Sequence, residues 1–113
     1  MRISTQLTTE RPKIQEKRRG VRMNSRVPVV IEWENANGEK VTTPAFTRIV
    51  GPYGCMVVLP ESLSLDQHIQ VTNSATGQAN AAIIVSKGNN GPDGWELGIE
   101  LVQPPYDFWG LDL

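Results

Sequence analysis

From Val27 onward the chain alternates. Val27, Val29, Ile31 and Trp33 are interleaved with Pro28, Val30, Glu32 and Glu34, the period of two that marks a half-buried strand. Asn37-Gly38 follows, a tight-turn pair, and "KVTTPAFTRIV" at about 40–50 reads as a second strand. Pro44 has no amide proton to give to a ladder, so it is expected at an edge or a bulge. After the break "GPYG", four more segments recur: "CMVVL" (55–59), "HIQVTN" (68–73), "QANAAIIVSK" (78–87) and "GWELGIELV" (94–102). Gly, Pro, Asn and Ser cluster between them, with "GNNGPDG" (88–94) reading as a loop and "SLSLDQ" having room for a single helical turn. Six short strands with turn chemistry and no long helical stretch predict an all-β protein, a small antiparallel barrel or sandwich. The alternation points Val29, Ile31, Trp33, Val57, Ile69, Ile83, Leu97 and Ile99 inward. Tyr106, Phe108 and Trp109 are expected to cap one end.

The first 16 residues are polar and lack periodicity, which predicts a flexible tail ahead of one domain over 17–113. A length of 113 residues with 39% hydrophobic and 20% charged content fits a single globular domain. The net charge of −1 hides an uneven distribution. Residues 11–26 carry seven basic side chains (Arg11, Lys13, Lys17, Arg18, Arg19, Arg22, Arg26) against Glu16, whereas 27–113 carry three against ten acidic ones. A basic arm joined to an acidic body suggests that the arm meets an anion. DNA and RNA are not expected partners, because no strand interleaves basic and aromatic residues. The single cysteine, Cys55, allows no intramolecular disulfide and suits a reducing compartment. No apolar run nears the ~20 residues of a membrane-spanning helix, and no signal-type segment opens the chain. These features together predict a cytoplasmic protein without membrane insertion.

"RRGVR" followed by "MNSRVPVVIEW" resembles the start of a PilZ domain, a family with an R-x-x-x-R signature just before the first strand of a six-stranded β-barrel. Here the signature is read as Arg18-x-x-x-Arg22, with Arg19 as the frequent extra arginine. "GWELGIELV" resembles the family's closing strand, and the resemblance covers roughly 17–103. The second signature of the family, D/N-x-S-x-x-G, falls on "IVGPYG": Gly54 matches, while Ile49 and Gly51 stand at the Asp/Asn and Ser positions. The resemblance implies a barrel with a flexible basic N-terminal arm, and a single-domain cyclic di-GMP receptor acting in bacterial second-messenger signalling through a downstream protein. The implied ligand residues are Arg18, Arg19, Arg22, Gly51 and Gly54. The departures at Ile49 and Gly51 keep a second expectation open, a PilZ-like protein-interaction module that binds no nucleotide.

The chemistry of the arginines fits the first expectation. A guanidinium forks onto phosphate oxygens and donates two hydrogen bonds to guanine O6 and N7. Ile49 and Gly51 supply no side-chain bonds to a base, though Gly51 allows close backbone approach. The plainer alternative is a solvated basic linker whose surface pairs with the acidic body contribute only ~0–1 kcal/mol each. The arm is expected to be mobile over 1–17 and partly ordered over 18–26, folding beside Gly51–Gly54 when an anion binds. Nothing in the sequence suggests an enzyme, a metal site or a cofactor. His68 has no second ligand nearby in sequence, Glu32 and Glu34 suit a solvated strand face, and Cys55 suits a buried, inert thiol.

Overall fold

The structure is a computed structural model that describes residues 22–111. Seven strands form: β1 (Met23–Asn24), β2 (Pro28–Glu34), β3 (Lys40–Gly51), β4 (Gly54–Leu59), β5 (His68–Asn73), β6 (Ala79–Gly91) and β7 (Gly94–Leu101). Every pairing is antiparallel, in the order β1-β3-β2-β5-β6-β7-β4, and a β3–β4 ladder closes the ring. The result is an all-β, six-stranded antiparallel barrel of β2–β7, with β1 as one extra strand. β1 lies within the segment read as an arm; Arg18, Arg19 and the rest of 1–21 lie outside the described residues.

The 23–34 segment runs along one edge of β3, first as β1 and then as β2, with a break at Ser25–Val27. Thr47 repairs the break. Its buried hydroxyl accepts a bond from the Val27 N–H at 2.8 Å and donates to the Ser25 carbonyl at 2.6 Å. Thr47→Val keeps the shape but strands both backbone groups. It is expected to cost about 1–3 kcal/mol, the penalty for a buried unsatisfied polar group, readable by urea denaturation.

The turns follow their sequence. Gly38 takes φ 78°, and Asn35 Oδ1 accepts from the Asn37 and Glu39 amides, which fixes the β2–β3 connection. Pro44 sits opposite Val30. The Thr47 N–H to Val27 carbonyl bond sets the alternation of the ladder, so the Pro44 nitrogen faces away from β2. β4 pairs with β3 only from Thr47 onward, and Pro44 therefore occupies an unpaired margin, as expected.

Val29, Ile31, Trp33, Val57, Ile69, Leu97 and Ile99 are buried in the barrel as predicted, with Val50, Leu59, Val71, Ala82, Ile84 and Leu101. Ile83 is not; it is half-buried on the outer face, and Ala82 and Ile84 point inward instead. Residues 81–85, "AAIIV", are apolar without alternation, so phase was not readable there. The pairing of Ala82 with buried Ile69 decides it, since directly opposed residues share a face.

Three other expectations are corrected. "GNNGPDG" is mostly strand: β6 runs to Gly91 and Pro92-Asp93 turns it into β7 at Gly94. "SLSLDQ" forms no helical turn, only a turn at Leu65–Asp66. Of the terminal aromatics, Phe108 and Trp109 are buried, but Tyr106 is 96% exposed. Phe108 and Trp109 meet edge to face, with ring centroids 4.9 Å apart. Buried Asn73 holds this segment by donating to the Phe108 carbonyl at 3.0 Å.

Candidate functional site

Two rows of outward-facing residues cross β3, β4, β7 and β6. In the first, Gly51 faces Gly54, Gly54 faces Glu100, and Glu100 faces Ile83. In the second, Asn24 faces Ile49, Ile49 faces Met56, Met56 faces Gly98, and Gly98 faces Ser86. Glycines at 51, 54 and 98 remove the side chains that would fill the space between the walls. What remains is a depression of about 320 Å³ on the outside of the barrel.

Register irregularities help to shape it. Arg48 is an extra residue between the Thr47 and Ile49 pairings, and Val85 is an extra residue between those of Ile84 and Ser86. Bulges bend a strand and re-aim its side chains. Val85 thereby becomes part of the depression's wall, on the β6 side.

Arg22 also lines the depression, together with Tyr53 and Glu100. The reason lies in β1. Met23 is opposite Val50, and continuing that register brings Arg22 level with Gly51. Of the expected ligand residues, Arg22, Gly51 and Gly54 thus come together, with Ile49 beside them. The carbonyl of Gly51 accepts a 2.8 Å bond from the Trp109 indole, so the terminal aromatic pair is tied directly to this site.

Two arginines outside the expected set stand nearby. The guanidinium of Arg26 lies 3.9 Å from the ring centroid of half-exposed Phe46, a cation–π contact. Arg48 is 3.6 Å from Asp93 in an exposed pair. Both line a second, broader hollow of about 700 Å³ over Ala45, Phe46 and Val58. Arg26 was legible in part, because Arg22-x-x-x-Arg26 repeats the R-x-x-x-R spacing and ends next to the first barrel strand. Phe46 and Arg48 carried no sequence signal beyond their place on an outward face.

Cys55 lies beneath the depression and is buried. Burial pushes its thiol up to about 12, because a thiolate would lose its hydration. It is therefore protonated near neutrality, as an inert core thiol should be. Among the described residues no group of three or more His, Cys, Asp and Glu side chains forms a metal site, and no helix there is long and apolar enough to cross a membrane.

No protein-family model and no curated protein sequence matches the chain.

Proposed function

We propose that this chain is a PilZ-type cyclic di-GMP receptor, a cytoplasmic binding module rather than an enzyme, which passes its signal to a downstream protein. The observation that carries the reading is Arg22 beside the Gly51–Gly54 turn, on the wall of an outward depression. A phosphate can approach bare backbone there, and a guanidinium can fork onto its oxygens. The volume falls at the low end of the ~300–1,000 Å³ usual for small-ligand pockets, which suits one base and its neighbouring phosphate better than an enclosed whole ligand. The R-x-x-x-R element of this reading includes Arg26 as well as Arg18 and Arg19. Arg26, held over the Phe46 ring, adds a second exposed guanidinium for an anion or a base.

Calorimetric titration of the purified chain with cyclic di-GMP tests the proposal. Binding is expected in the micromolar range, and Arg22→Ala is expected to weaken it by at least ~1.5 kcal/mol, the low end for a charge-assisted bond. No heat at high micromolar ligand would favour a second reading, a PilZ-like protein-interaction module. Ile49 and Met56 favour that reading specifically, since they add apolar side chains to the depression's lining.

A further inference from the structure

We infer that Trp109 is a positioning residue for the depression and couples ligand binding there to the C-terminal segment. This rests on the reading of the depression as a cyclic di-GMP site. The Gly51–Pro52 peptide unit stands where β3 ends. Gly51 lines the depression and, as a glycine, has no side chain to restrict its backbone. Pro52 has no amide proton. The Gly51 carbonyl is therefore the only hydrogen-bonding group of that peptide unit. The Trp109 indole, which can only donate, bonds to it at 2.8 Å. Trp109 does not itself line the depression; it acts through the backbone of Gly51.

The donor is held from several sides. Trp109 is buried, and Phe108 meets it edge to face. The Phe108 carbonyl accepts from buried Asn73. Two turn bonds brace the segment, from the Phe108 N–H to the Pro105 carbonyl at 3.3 Å and from the Gly110 N–H to the Asp107 carbonyl at 2.9 Å. A phosphate that approaches the Gly51–Gly54 turn needs its backbone in one orientation. The indole bond fixes that orientation before the ligand arrives, which leaves less ordering for binding to offset. Equilibrium coupling is reciprocal. If the bond favours the ligand, the bound ligand favours the bond by the same factor. Tyr106, 96% exposed, stands on the braced turn, so the segment that responds to the ligand carries an aromatic ring open to solvent.

The test combines two measurements. The first is calorimetry with cyclic di-GMP on the native chain, Trp109→Phe, Phe108→Leu and Arg22→Ala, with circular dichroism confirming that each variant is folded. Trp109→Phe keeps an aromatic ring and removes the donor. It is expected to weaken binding by about threefold to tenfold, the equivalent of one neutral hydrogen bond. Phe108→Leu loosens the same segment but keeps the indole, and is expected to bind as the native chain does. The second measurement needs no variant. Exchange of the Trp109 indole N–H, followed by nuclear magnetic resonance on the native chain, is expected to slow by a similar factor when cyclic di-GMP is added. Native affinity in Trp109→Phe overturns the inference, and so does an indole exchange rate that the ligand leaves unchanged. Equal weakening in Phe108→Leu also overturns it, since that marks general loosening rather than the indole bond. In each of these cases a loss of binding in Arg22→Ala leaves the receptor reading standing. A native chain that binds no cyclic di-GMP at high micromolar ligand refutes the receptor reading, and the inference with it.

Discussion

Phe108→Ala is expected to destabilise the protein by about 3–5 kcal/mol, the usual cost of emptying a buried phenyl site. Phe108 heads the largest fully buried side chains of the described residues. It comes from a segment after the last strand, and so closes the barrel without belonging to its ladders. Deleting the ring removes apolar contact with the core and the edge-to-face partner of Trp109. It also loosens the segment that Asn73 holds through the Phe108 carbonyl. The loss is a large share of the ~5–15 kcal/mol that a domain of this size typically has. A urea titration reads it as a lower midpoint with the slope unchanged. The tryptophan emission, to which Trp109 contributes with Trp33 and Trp95, is expected to shift toward that of a more hydrated ring before global unfolding. A loss of less than about 1 kcal/mol would mean that the terminal segment packs loosely, because well-filled cores do not tolerate such a deletion.

How much of this was readable in the chain depends on which physical signal each residue carries. The alternation around Val29, Ile31 and Trp33 exposes its phase, because polar residues mark the outer face. The Asn37-Gly38 turn and the edge position of Pro44 follow from backbone chemistry that single residues carry. At 81–85 there is no polar residue to mark the outside, and the pairings of β6 with β5 and β7 assign Ile84 inward and Ile83 outward. The "GNNGPDG" segment carries turn residues throughout, yet hydrogen bonding to β7 extends the strand to Gly91. Tertiary pairing overrides local preference there. Tyr106 and Phe108 both carry large aromatic rings, and their places in the terminal segment, which composition does not encode, put the one in solvent and the other in the core.

The candidate site was half legible for a related reason. Gly51 and Gly54 are close in sequence and belong to one hairpin, so their proximity follows from the turn. Arg22 could be paired with them through a motif. Glu100, Gly98 and Ser86 are far along the chain, and only the closing β4–β7 and β6–β7 ladders carry them to the same face. The terminal tie from Trp109 to Gly51 spans 58 positions; no local pattern announces a bond of that kind.

The two floor glycines separate folding from ligand access. A Cβ at Gly54 would collide with the backbone carbonyl of Ile99, which belongs to the β4–β7 ladder and cannot yield without breaking it. Gly54→Ala is expected to cost about 1–3 kcal/mol, as overpacking of a close-packed site does. At Gly98 the nearest obstacle is the Ser86 hydroxyl, a side chain that can rotate away. Gly98→Ala is therefore expected to cost less than about 1 kcal/mol of stability, within the range of strain that one rotamer change relieves. Both substitutions place a methyl group on the floor of the same depression, so both are expected to weaken cyclic di-GMP binding by at least about tenfold through steric exclusion, the equivalent of ~1.4 kcal/mol. Gly98→Ala is the sharper test, since its loss of binding comes with a nearly native melting temperature. Native affinity in that variant would move ligand contact away from the glycine-floored trough and toward the broader hollow between Arg26, Phe46 and Arg48, where neither methyl group reaches.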